Sequence, residues 1–149
     1  MRYLTAKAST LFVLVALALI TACAPLIGPY SPESYKYATS LKAETLAVMS
    51  KATEQYSTHK ARVETLEVEL QKAHEYVKGV PSNNISAQQW KILIKPDGDL
   101  IGKFFMRWEE RGTMGPAIIK EFKGLISDAF DEIICLEANK KSASACRIN

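Results

Sequence analysis

Two histidines and several acidic pairs are the residues of this chain whose types invite a chemical reading. His59 and His74 lie fifteen residues apart, too far along a helix to share one metal ion. His74-Glu75 has no second histidine four residues on, so the zinc-protease pattern is missing. Glu109-Glu110, Asp128 with Asp131-Glu132, and Glu137 offer carboxylates in pairs, as acid–base catalysis needs. Exposed helix faces carry such pairs routinely. There is no Gly-rich phosphate loop, nucleophile elbow or dinucleotide fingerprint. The expectation is a protein that is not an enzyme, with no catalytic residues, no metal and no cofactor. Trp90, Phe104, Phe105 and Trp108 are candidates to line a pocket for an apolar ligand. Core packing is the competing role for the same four rings.

The cysteines carry a clearer signal. There are three, Cys23, Cys135 and Cys146, with no C-x-x-C motif. Ahead of Cys23 stands a short basic segment with Arg2 and Lys7 and no acid. The apolar run Leu11-Phe-Val-Leu-Val-Ala-Leu-Ala-Leu-Ile20 follows. A membrane span needs about 20 such residues, so this shorter run reads as the core of a signal peptide. It ends in Ile20-Thr21-Ala22-Cys23, which resembles the lipobox of bacterial lipoproteins. The resemblance implies cleavage before Cys23 and a diacylglyceryl thioether on its sulfur. In many bacteria it also implies an N-acyl chain such as palmitate. Two or three chains anchor stably, at about 0.8 kcal/mol per buried methylene. Ala24 in place of Asp resembles Gram-negative lipoproteins passed on to the outer membrane, which implies the periplasmic face of that membrane.

With Cys23 lipidated, Cys135 and Cys146 remain. An even remainder in an oxidising compartment points to one disulfide between them. The whole chain has 19 basic and 16 acidic residues. Arg2 and Lys7 leave with the signal, so 17 basic residues face 16 acids and the mature charge is +1. A near-neutral domain without a basic stripe argues against nucleic acid as a partner.

The organisation follows: residues 1–22 a cleaved signal, 23–31 a lipidated tether, 32–141 a helical domain, 142–149 a small-residue tail. Ser31-Pro32-Glu33 reads as a helix start, with a capping hydroxyl, a proline at the first helical position and an acid near the positive dipole end. From Glu33 to Lys78 there is no glycine or proline, which predicts one long helix stopped by Gly79 and Pro81. Met49, Ala52, Tyr56, His59, Val63, Leu66, Leu70, Ala73 and Val77 recur at alternating steps of three and four, a heptad seam that Lys42 and Thr45 interrupt upstream. Lys60, Arg62, Glu64, Glu67, Glu69 and Lys72 lie between them as a mixed-charge solvent face.

Ser86-x-x-Gln89 resembles a capping box opening a short helix through Lys95. Leu100, Ile101, Phe104, Phe105 and Trp108 make a second short stripe after the turn Pro96-Asp-Gly-Asp99. A hairpin across that turn is the alternative. Ile118, Ile119, Phe122, Leu125, Ile126, Ala129, Phe130, Ile133, Ile134 and Leu136 give the last helix a broad apolar face. The fold expected is therefore all-α, a bundle of one long N-terminal helix and three shorter ones. A straight helix from Glu33 to Lys78 would span about 70 Å and outreach its partners, leaving an apolar end for a stalk or a homodimer. The function expected is a non-catalytic, membrane-anchored interaction or structural module that meets another envelope protein. The alternatives are a small periplasmic binding protein for an apolar ligand and an inhibitor or regulator of an envelope enzyme.

Overall fold

The computed structural model describes residues 28–140. Cys23, Cys146, the signal segment and the tail lie outside the described residues. Five helices run in order: α1 Pro32–Met49, α2 Tyr56–Gly79, α3 Asn84–Ile94, α4 Ile101–Arg111 and α5 Pro116–Asn139. There is no strand among the described residues: residues 90–94 and 101–104 are helical on either side of a turn, and the hairpin alternative is set aside.

α1 starts as its sequence predicts. Ser31 is extended at φ −121° and its hydroxyl accepts from the Ser34 amide at 3.2 Å, with Pro32 in the first turn. The single long helix, however, is not there. The chain leaves the helix after Met49, turns through Ser50–Gln55 and folds back as α2. Arg62 on α2 reaches Glu44 on α1 at 2.7 Å, and the Tyr37 and Tyr76 rings sit 5.6 Å apart, so the two helices run antiparallel. The premise of a stalk or of a homodimer through one overlong helix falls with it.

What holds a turn that contains no glycine or proline is its backbone partners. The Ala52 carbonyl accepts from the Met114 amide at 2.7 Å, and the Tyr56 amide donates to the Gly112 carbonyl at 2.8 Å. The Trp108 indole N–H donates to the Glu54 carbonyl at 3.0 Å. Backbone groups freed by breaking a helix need partners when they are screened from water. Here the α4–α5 connection supplies them. Gly112 makes this possible with φ +74°, a left-handed conformation that ends α4.

The apolar seam crosses the turn. Met49, Ala52, Val63, Leu66, Leu70, Ala73 and Val77 are all buried, and Tyr56 and His59 partly so. On α1 the buried stripe is Ser34, Ala38, Leu41, Thr45 and Val48. The irregularity at Lys42 and Thr45 is therefore a shift of phase between two helices that present separate faces to one core.

α5 packs antiparallel to α1, tied by Lys42 to Asp131 and by Lys123 to Ser50. Its Phe122, Ile126, Phe130 and Ile133 fill the centre. α3 and α4 form a short hairpin over α2 and α5. Ser86 does not cap α3, which begins earlier with Asn83 as its N-terminal flank. Ser86 is instead buried and accepts from Lys140 at 3.0 Å. The α3–α4 turn comes very close to α4. A Cβ on Gly102 would lie 2.2 Å from the Lys95 carbonyl oxygen, so only glycine fits there. No helix of the described residues is long and apolar enough to cross a membrane.

Candidate functional site

The side of α2 that faces away from α1 is not sealed. Between it and the α3–α4 hairpin runs an open groove of about 670 Å³. Its floor is apolar: Val68, Leu70, Ile94, Pro96 and Ile101. Along its α2 wall stand Glu64, Glu67, Gln71, Lys72 and Glu75. A smaller depression of about 280 Å³ continues it past Glu64, Glu67 and Gly102 toward Tyr56, Lys60, Met106 and Glu109. The groove runs beside the α3–α4 turn, where Gly102 lies close against Lys95 and Pro96. The hairpin leans on the two ends of α2 and leaves the middle uncovered.

Three carboxylates gather where the two parts meet. Lys60 is shared between Glu64 at 3.8 Å and Glu109 at 4.0 Å. Glu67 lies in no ion pair among the described residues. Partial burial raises its carboxyl above the ordinary glutamate value, and the charges on Glu109 and Glu64 raise it further. Burial likewise raises the Tyr56 hydroxyl, helped by Glu109, Glu67 and Glu64. The site thus holds excess negative potential over an apolar floor. It suits an ammonium or guanidinium group carried next to apolar carbon.

The residues singled out from sequence are scattered by the fold. His59 bonds Glu54 at 2.8 Å on the outside of the corner, its ring 5.6 Å from Trp108. That bond, with Lys51, lowers the exposed Glu54 carboxyl. His74 is a helix's length away, beside Glu75 at 3.9 Å. Asp128, Asp131 and Glu132 lie on α5, exposed and apart from Glu109-Glu110. Among the described residues no three of His, Cys, Asp and Glu come together as a metal-ligand set.

Glu137 is different. It is wholly buried and pairs with Lys140 at 2.8 Å, whose side chain is 1% exposed. Lys140 also donates to the Asn83 side-chain oxygen and to Ser86, while Asn83 donates to the Val77 carbonyl at 3.1 Å. This buried network ties the end of α5 to the α2–α3 loop, with the Glu137 Oε2 atom left without a hydrogen-bond partner among the described residues. It leaves no open face for a substrate.

The aromatic pocket expected from Trp90, Phe104, Phe105 and Trp108 is packed protein. Trp90, Phe104 and Trp108 are fully buried. Trp90 meets Phe130 edge to face, and Phe104 meets Phe105, Trp108 and Phe122. Of the four, Phe105 alone borders the groove. Cys135 is disulfide-bonded, and Cys146, its expected partner, lies outside the described residues.

The groove was not singled out from the sequence. Glu64, Glu67 and Lys72 read as ordinary solvent-face charges. The available signal was Val68, a large apolar side chain on that charged face, which is 54% exposed in the fold. No protein-family model matches the chain, and no curated protein or solved structure matches it either.

Proposed function

We propose that this chain is a non-catalytic lipoprotein of the cell envelope, anchored through Cys23 at the periplasmic face of the outer membrane, that docks a partner protein in the α2 groove. The observation that supports the docking role is the open apolar floor beside a cluster of carboxylates in which Glu67 has no cation of its own. From Tyr56 to Glu75 the groove follows α2 for about 29 Å at the helical rise. That length fits a peptide segment better than a small metabolite. Its charge selects a segment that sets Lys or Arg beside apolar side chains. The anchor rests on the lipobox, and the bridge is read as Cys135 to Cys146.

Binding of two labelled amphipathic peptides, one Lys/Leu and one Glu/Leu, tests the docking reading. The basic peptide binds, more weakly as salt rises and several-fold more weakly to a Glu64→Gln, Glu67→Gln variant. Equal binding of both peptides, or binding indifferent to the variant, contradicts it. The anchor is tested separately: Cys23→Ala accumulates as unprocessed precursor. Normal cleavage and release of that variant contradicts a lipid-modified Cys23.

A further inference from the structure

One end of the bundle gathers the N-terminal stem, the α2–α3 loop and the end of α5. Gly28 is buried there: a Cβ on it would lie 2.6 Å from the Pro81 carbonyl oxygen and 3.3 Å from Ser82. Three residues on, the Ser31 hydroxyl meets the Tyr76 hydroxyl at 3.3 Å. Lys140 fastens α5 to Asn83 and Ser86 at the same place. The stem is thus built into the domain from Gly28 onward and does not swing as a free leash.

We infer that this end, presenting Tyr35, Tyr76 and Ile85, rests on the lipid headgroups, so that the domain stands with its Ser50–Gln55 corner away from the bilayer. The inference rests on lipidation of Cys23. Five residue steps separate Cys23 from Gly28, a reach of at most about 18 Å. α2 alone is about 36 Å long, so the anchor places its Gly79 end near the lipid and its Tyr56 end far from it.

The surface at the near end suits such a place. Tyr35 is 36% exposed, Tyr76 41% and Ile85 49%. Tyr76 touches the stem and meets the Tyr37 ring at a tilt, and Ile85 follows Ser82 by three residues, so both flank the point where the stem enters. Tyrosine favours the headgroup level, where its ring is shielded and its hydroxyl is wet. Among the described residues nearby, Lys78 pairs with Glu75 at 3.2 Å and Lys140 with Glu137 at 2.8 Å. Contact therefore depends on the anchor and on amphipathic rings, with little call on anionic lipid. The groove, running up α2 from Glu75, opens sideways above the bilayer, where a periplasmic segment can enter it.

The test uses the full lipidated chain in vesicles, with an environment-sensitive dye on Ile85→Cys, Thr53→Cys or Met106→Cys. Mass analysis of the N-terminal peptide establishes the lipid on Cys23. Nitroxide headgroup lipid is expected to quench the dye at 85 severalfold more than at 53 or 106, equally in neutral and anionic vesicles. Equal quenching at all three sites, or strongest quenching at 53 or 106, overturns the orientation while leaving the anchor intact. A Cys23 without lipid overturns the anchor and the orientation together.

Discussion

The two sides of α2 are made from one stretch of sequence and meet opposite fates. The inner side, Val63, Leu66, Ala73 and Val77, is buried where α1 and α3 pack on α2. The side holding Glu64, Glu67, Val68 and Glu75 borders the open groove. Packing with few voids is what makes the first side stable. The second side gives up that packing and keeps Val68 in water. A helix that tolerates an exposed valine among carboxylates places little of the fold's stability on that side. This leaves its chemistry free for a partner. The contrast predicts that substitutions on the two sides of one helix separate stability from binding.

The largest effect belongs to the sealed side. Leu66 is 0% exposed, so Leu66→Ala leaves a cavity and costs about 2–5 kcal/mol in chemical denaturation. A loss below about half a kcal/mol would mean that the inner side is not closed in solution. Next comes the lock on the corner. Trp108→Phe removes the indole donor from the Glu54 carbonyl and part of the buried ring. It costs about 1–3 kcal/mol, in the range for stranding a sheltered acceptor. Trp90 provides the control, because its buried indole nitrogen has no partner among the described residues. Trp90→Phe is expected to cost less than Trp108→Phe, and the reverse order would remove the corner's hydrogen bond as a cause.

The open side gives smaller effects, one of opposite sign. The Glu67 carboxyl is raised in the fold. Between the ordinary glutamate value and that raised value the folded chain binds more protons than the unfolded one, so stability falls as pH rises through this window. Above the window the penalty is constant. Glu67→Gln removes it and is expected to raise the melting temperature at neutral pH, with the gain disappearing below the ordinary carboxylate range. An unchanged melting temperature at both pH values would mean that neither burial nor the neighbouring carboxylates disfavour the Glu67 charge. The smallest stability change is at Val68. Val68→Ser stays within about 0.5 kcal/mol, as exposed positions do, yet weakens the basic peptide. A large loss of stability would place Val68 in the core.

Much of this fold is written locally. Ser31-Pro32-Glu33 starts α1, Gly79 ends α2, and the periodic apolar residues of α2 and α5 mark the buried faces. The corner at Ser50–Gln55 is not, because its cause is distant in sequence: Trp108, Gly112 and Met114 satisfy the backbone that the break exposes. Helix propensity across Glu33–Lys78 favours continuation, and tertiary hydrogen bonds override it. The one-residue phase shift from Lys42 to Leu41 was the only trace. The Glu137–Lys140–Asn83 network was illegible for the same reason, since its members come together only when α5 meets the α2–α3 loop. The groove depends on what α4 leaves uncovered, and the spacing of Glu64, Glu67 and Val68 says nothing of that.

Photocrosslinking in native envelopes tests the central claim most directly, with the crosslinker at Val68 on the groove and at Leu125 on α5, which is 51% exposed. Peptides captured from position 68 and absent from position 125 should carry Lys or Arg beside apolar residues, and they should disappear in the Glu64→Gln, Glu67→Gln background. The same peptides from both positions, acidic peptides from position 68, or capture indifferent to the two glutamates would contradict a docking role for the groove.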